Sequence, residues 1–298
     1  MNRTSVKLIQ LDDVPAARRF CADWRASGRS LGFVPTMGAL HDGHLSLVER
    51  ALDENDAACV SVFVNPLQFN EKTDFDRYPR DLAADARLLE RVGCTMVFTG
   101  TLAGFFAGEL DARGELLPAA WREPGPSALG LEGDLRPGHF RGVATIVARL
   151  FEVVRPTRAY FGHKDFQQTL VVRDLARAMG YPTIVVCPTA REASGLARSS
   201  RNELLSAEDR ARASVLSRAL FAARDAWSKG ERAPARLSAA MHAVLADGPA
   251  AVEYATVRDP ERWTRDEPTA PLERAVALVA ARLGGVRLID NLRLDERT

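Results

Sequence analysis

The chain has 298 residues, more than one ordinary core accommodates, so two domains are expected. Hydrophobic residues at 46% and charged residues at 27% are values of a chain that folds throughout and exclude a disordered polymer. With 40 Lys and Arg against 39 Asp and Glu, the formal charge of +1 argues against nucleic acid or an anionic membrane as partner and favours a small molecule.

The opening stretch "MNRTSVKLIQLDD" lacks the apolar core of a signal peptide, and no apolar run nears the ~20 residues that span a bilayer, so a cytoplasmic protein is expected. Apolar runs bounded by turn residues then recur at 30–36, 57–65, 94–100, 159–162 and 183–189. Their length and β-branched content suit buried parallel strands. Helix-like stretches lie between them at 44–55, 80–93, 142–154 and 166–180, while 101–130, rich in Gly, Pro and Ala, reads as an irregular excursion. This alternation predicts a Rossmann-like α/β fold, a doubly wound parallel sheet over residues 1–190. Beyond it the pattern changes to Ala/Arg-rich helices at 206–229 and 235–246, then strands at 251–259, 274–283 and 285–291. A smaller C-terminal α+β domain over 191–298 follows from that shift. Cys21, Cys59, Cys94 and Cys187 form no CxxC pair, so reduced, buried thiols are expected and no metal cluster.

In doubly wound sheets ligands sit beyond the carboxyl ends of the strands, which directs attention to the polar residues there. The first strand ends Pro35-Thr36-Met37-Gly38 and leads into His41-Asp42-Gly43-His44 at a helix start. A helix N-terminus favours phosphate, an imidazole N–H adds a donor, and glycine allows close approach, so a triphosphate site is the functional reading. A metal site would need further ligands and no H-E-x-x-H or Cys/His cluster supplies them; a histidine satisfied within the core is the ordinary alternative for either residue alone. The second strand runs into Asn65, Gln68 and Tyr78, uncharged groups suited to a polyhydroxy or carboxylate substrate, although "NP" and "YPRD" also serve simply as a turn and a helix cap. The fourth leads to Gly162, Lys164, Asp165 and Gln168. Lys164 is one of only four lysines in an Arg-dominated chain; it can neutralise charge on a transferring phosphate, while Asp165 can cap a helix or accept from a ribose hydroxyl. After the fifth, Ser199, Ser200 and Arg201 offer two hydroxyls and a guanidinium, a good phosphate set, though Ser-Ser also caps helices.

The motifs "VPTMGALHDGHLSLV", "SVFVNPLQFNEKTDFDRYPRDL", "LEGDLRPGHFRGVATIVARLF", "YFGHKDFQQTLVVRDLA", "PTAREASGLARSSRNELLS" and "RLIDN" together resemble the pantoate–β-alanine ligase family of coenzyme A biosynthesis, over nearly the whole chain. The HxGH element resembles that of the wider nucleotidyltransferase and class I aminoacyl-tRNA synthetase superfamily. The resemblance implies two half-reactions. Pantoate attacks the α-phosphate of Mg-ATP to give pantoyl adenylate and pyrophosphate; the β-alanine amine then displaces AMP. It also implies that His41 and His44 bind the triphosphate with Lys164, Ser199, Ser200 and Arg201, and that Met37, Gly162 and Asp165 contact the nucleotide. Gln68 and Gln168 resemble the glutamines that hold pantoate, with Pro35, Met37 and Asn65 shaping its pocket and Arg136 near it. Mg²⁺ is implied on the ATP phosphates without an assigned protein ligand, and a homodimer is implied.

Two departures stand out. Ser194 replaces the Asp of the family's Asp-Gly-Leu-Ala run and Arg198 an apolar residue after it, and 101–126 lacks the Tyr-Pro-x-Gly stretch usual before "LEG". They motivate an alternative, a related adenylate-forming amide ligase that takes a different hydroxy acid or amine. A non-catalytic nucleotide-binding protein is a third reading, against which stand His41, His44, Lys164 and both glutamines.

Overall fold

A computed structural model describes residues 7–70, 72–246 and 248–296; the first six, part of the stretch read above for a leader, lie outside the described residues. The chain divides into two compact units. The first takes residues up to Ala128, Glu132–Gly162 and Gln167–Cys187; the second takes Leu129–Leu131, His163–Phe166 and everything from Pro188.

In chain order the first part runs β1 (Ile9–Leu11), α1 (Val14–Ala26), β2 (Leu31–Thr36), α2 (Asp42–Glu54), β3 (Ala57–Val62), α3 (Lys72–Arg77), α4 (Leu82–Arg91), β4 (Met96–Phe98), α5 (Leu102–Phe105), α6 (Glu132–Leu135), α7 (His139–Val154), β5 (Arg158–Gly162), α8 (Phe166–Met179) and β6 (Thr183–Cys187). The expected doubly wound sheet is present, six parallel strands in the order β1-β4-β3-β2-β5-β6. Strand pleating sends alternate side chains to opposite faces, and both are covered. Phe33, Cys59, Met96, Phe98, Ala159 and Phe161 join the core under α1 and α7. Val34, Val60, Val97 and Tyr160 join the core under α2 and α4.

The strand order reverses beside β2, whose sequel lies at β3 while β5 flanks its other side. β2 pairs with β3 along its whole length, through Thr36↔Val62, but with β5 only at Gly32 and Phe33. Pro35 supplies the reason. The Thr36 carbonyl accepts from Phe63 on the β3 side, so by alternation Pro35 faces β5, where it has no N–H to offer. The ladder ends there, and the carboxyl end of β2 opens as a crevice at the topological switch point.

β1 and α1 were not anticipated. β1 has three residues, none of them fully buried, and α1 fully buries only the small side chains Val14, Ala17 and Cys21, with Phe20 and Trp24 packed half-buried beside them, although Asp13 caps the helix conventionally. Within 101–130, Phe105, Phe106 and Leu116 are drawn into the core and Phe105 packs 4.8 Å from the Phe63 ring, so aromatic burial rather than regular structure fixes this excursion.

The second unit continues with α9 (Ala207–Ala213), α10 (Val215–Ser228), α11 (Pro234–Ala246) and the antiparallel sheet β7 (Ala251–Arg258), β8 (Val276–Leu283), β9 (Val286–Arg293). The helix expected over 206–229 is two helices. Ser214 turns its hydroxyl onto the Ala211 carbonyl, a local bond that competes with helix continuation. A separate core, with Leu216, Leu220, Leu237, Met241, Val257 and Val279, joins α10 and α11 to the inward face of this sheet. Among the described residues no helix is long and apolar enough to cross a membrane.

Candidate active site

The turn after β2 is shaped by three consecutive backbone N–H groups, each held by a side chain. Gly38 N–H donates to Thr36 Oγ1 at 3.2 Å, Ala39 N–H to Asp85 Oδ2 at 3.2 Å and Leu40 N–H to Asp85 Oδ1 at 2.8 Å. Gly38 has φ +83° and Ala39 φ +51°. The chain then enters α2 with His41 as its cap. Gly43 N–H donates to His41 Nδ1 at 3.1 Å and His41 N–H to His44 Nδ1 at 3.4 Å, and the two rings lie 4.1 Å apart. With each Nδ1 an acceptor, the proton of a neutral ring sits on Nε2, so the pair presents two Nε2–H donors at the positive end of a 13-residue helix. That arrangement suits phosphate oxygens and leaves the Nδ1 atoms already used.

Beside this turn is a polar set from the end of β3. Asn65 is 1% exposed; its Oδ1 accepts from Leu67 N–H at 3.2 Å and its Nδ2 donates to Gln68 Oε1 at 3.0 Å and Gly142 O at 3.2 Å. With Oε1 so engaged, Gln68 Nε2 reaches Met37 Sδ at 3.1 Å. Gly142 on α7 presses onto this turn so closely that a Cβ would lie 2.0 Å from Leu67 O. His139 Nδ1 donates to Gln68 O at 2.8 Å, Arg136 Nη2 lies 3.4 Å from the same carbonyl, and Arg136 Nη1 donates to His139 Nε2 at 3.1 Å. Arg136 therefore meets Gln68 through backbone. Met37, Asn65 and Gln68 are brought into one hydrogen-bonded group; Tyr78 is buried against Phe69; Gly162 ends β5 and Gln168 lies in the first turns of α8.

In the second unit Lys164 is half-buried and its Nζ lies 3.2 Å from the more exposed Asp165 carboxylate. Asn291 on β9 fixes the backbone here, Nδ2 donating to His163 O at 2.9 Å and Lys164 O at 2.7 Å. Next to it Asp290 is 3% exposed and takes a fork from Arg191, Nη1–Oδ2 2.7 Å and Nη2–Oδ1 3.0 Å. Burial pushes the Asp290 carboxyl up, with the Arg191 guanidinium acting against it. Ser199 caps the short helical turn Ser200–Leu204, its Oγ accepting from Arg201 N–H at 3.3 Å. Buried Asn202 ties that turn to Glu192 Oε1 and Ala197 O, both at 3.1 Å. Burial raises the Glu192 carboxyl, but hydrogen bonds and charge from Arg210, with the bond from Asn202, outweigh it and hold the group below its ordinary range. Ser194 sits in the exposed turn of the bridge Arg191↔Ala197 and accepts from Leu196 N–H, while Arg198 N–H donates to Ala190 O.

Asp85, His139, Gly142, Arg191, Asp290 and Asn291 did not stand out in the sequence. Asp85 left a signal: on α4 it shares the buried face with Ala86 and Leu89, and a carboxylate on an apolar stripe demands partners. All four cysteines are buried free thiols, and burial drives Cys94 up to about 12.

Residues 10–293 match the family model described as pantoate-β-alanine ligase. The pantothenate synthetase of Herpetosiphon aurantiacus is 45% identical over 289 residues, 95% of this chain and 97% of that protein. The pantothenate synthetase structure from Thermus thermophilus superposes with a TM-score of 0.85 at 42% identity, covering 96% of this chain and 99% of that one. A pantoate–β-alanine ligase from Francisella tularensis, solved with β,γ-ATP and β-alanine, gives 0.77 at 32% identity over 97% and 99%. The matching fold, the strand-end turns and the near-complete coverage agree, and the chain belongs to the pantoate–β-alanine ligase family.

Proposed function

We propose that this enzyme joins pantoate to β-alanine through a pantoyl-adenylate intermediate, with ATP supplied as Mg-ATP and AMP and pyrophosphate released. The observation that carries the reading is the placement of two kinds of group on one turn. Met37, hydrogen-bonded to Gln68 and through it to Asn65, lies four residues before the paired imidazoles His41 and His44. An acid held by the amides would present its carboxylate toward a phosphate held by the imidazole donors, and positioning of that kind is the main contribution of such a site.

In this reading His41 and His44 hold the triphosphate and stabilise the departing pyrophosphate. Lys164, Ser199, Ser200 and Arg201 offer charge and hydroxyls for phosphate binding, and Gly162 and Asp165 serve the ribose. Gln68 and Gln168 hold pantoate, with Pro35, Met37 and Asn65 as its walls. Arg136 supports the Gln68 turn from behind, which its bonds to the Gln68 carbonyl and His139 favour. Mg²⁺ arrives on the nucleotide and keeps much of its water, as that ion does at phosphate sites. Two further parts of the reading are a cytoplasmic location, compatible with four buried free thiols, and a homodimer, which light scattering on the purified chain tests directly.

The chemical test is ATP–pyrophosphate exchange with and without pantoate, followed by AMP release on adding β-alanine. Exchange that requires pantoate and AMP release that requires β-alanine are expected. Exchange with pantoate but no turnover with β-alanine would point to another acceptor amine. His44→Ala or Lys164→Ala should lower exchange by about 100-fold or more with the fold retained; near-normal rates would remove their assigned roles.

A further inference from the structure

We propose that Asp85 is a positioning residue of the ligation, its carboxylate setting the Gly38–Leu40 turn and so placing Met37 and His41. The inference rests on the assignment of His41 and His44 to the triphosphate.

The turn has a conformation that the chain alone disfavours. Gly38 and Ala39 both have positive φ, and for alanine the left-handed region is disfavoured by the clash of Cβ with the backbone. What holds it is external: Asp85 lies 46 residues from Ala39 in sequence, and its two oxygens take the N–H groups of Ala39 and Leu40 one each. The fit is specific to a carboxylate. An amide in the same place would keep one acceptor and turn an NH₂ toward the other N–H. The packing is equally tight, for a Cβ on Gly38 would lie 2.9 Å from Asp85 Oδ2 and 3.0 Å from Val62 Cγ1.

Stability does not account for the residue. Asp85 is 3% exposed, no ion pair to it is formed among the described residues, and Asp81 is the neighbouring charge that acts on it, with the same sign. Burial accordingly pushes its carboxyl up, against the pull of the N–H bonds from Leu40 and Ala39. A buried ion without a counter-charge costs folding free energy. What it delivers is geometry at a turn whose two ends carry the acid-side thioether and the first imidazole.

The test uses the full chain with Asp85→Asn, read by pantoate-dependent pyrophosphate exchange and by melting temperature. The kcat for exchange should fall about 10- to 100-fold, the scale of an ångström-level misplacement. The melting temperature should change little beside the loss of rate, because the stranded backbone N–H and the removed buried charge act in opposite directions. In a His44→Ala background the same substitution should change the residual rate less than about threefold, since groups that act as one unit are not additive. Gly38→Ala, which forces a Cβ against the carboxylate without removing it, should reproduce the loss and the same non-additivity, and it carries the test should Asp85→Asn fail to fold. A wild-type rate in Asp85→Asn overturns the proposal. So does an equal fold-loss in both backgrounds, the mark of a merely structural role. A His44→Ala protein with normal exchange would instead overturn the histidine assignment beneath it.

Discussion

Two buried aspartates, one in each unit, serve different needs. Asp85 and Asp290 are each 3% exposed, and both carboxyls are pushed up by burial. Asp290 is met by a two-pronged guanidinium and by the N–H of Asn291. Asp85 is met by two backbone N–H groups at a strained turn. A guanidinium fork compensates a buried charge and leaves a rigid joint; backbone donors leave the charge expensive but fix the path of the chain. The difference separates a carboxylate that serves the fold from one that serves the placement of a turn.

The largest effect should come from breaking the paired case. Arg191→Ala strands the Asp290 charge and should cost about 3–5 kcal/mol, the scale for removing one partner of a buried pair. Denaturant unfolding measures it, and Arg191→Met combined with Asp290→Leu should recover most of the loss. If Arg191→Ala is no more harmful than Asp85→Asn, the contrast between the two aspartates is lost.

Asn291→Ala tests the joint that Asp290 flanks. The carbonyls of His163 and Lys164 lose a shared donor, which should cost about 1–3 kcal/mol. Because Lys164 rides on that segment, KM for ATP in pyrophosphate exchange should rise as well. A stability loss with unchanged exchange kinetics would detach Asn291 from the nucleotide.

The smallest effect concerns pH. Glu192 is held below its ordinary range, so the fold favours its ionised form. That stability is present above the unfolded value near about 4 and is lost as pH falls through the lower folded value. The gap between wild type and Glu192→Gln, small for a pair whose Arg210 is half exposed, should therefore close in acid. Asp85 has the opposite sign. Its raised folded value means that its contribution is full below the unfolded value and fades as pH rises through the folded one, so wild type should gain on Asp85→Asn in acid. Parallel pH profiles for the two substitutions would refute the assignment.

Much of the architecture was legible because it rests on local patterns. Apolar runs such as 57–65, separated by helix-length stretches, specify a parallel sheet, and the HxGH histidines fall where a strand must hand over to a helix. β1 and α1 escaped because a three-residue strand is too short to show a pattern, and the apolar residues of α1, Val14, Ala17, Phe20, Cys21 and Trp24, are interrupted by Arg18, Arg19 and Asp23. The break at Ser214 escaped because one hydroxyl bond decides it. Within the candidate site, Asn65, Gln68 and Lys164 could be picked out as polar residues at strand ends, but not Gly142, His139 and Asn291, which bond to them from distant segments.

The sequence by itself determined which segments become strands and helices, that Pro35 cannot extend a ladder, and which imidazoles, amides and ammonium stand at the strand ends, since these depend on neighbours a few residues away. Only the tertiary structure decided that Asp85 grips Ala39 and Leu40, that Gly142 seats α7 on the Gln68 turn, and that Asn291 holds Lys164 from 127 residues away. The physical reason is one of range. An apolar periodicity states that a face will be buried, whereas the partner of a buried polar group is chosen by whatever packing brings within about 3 Å of it.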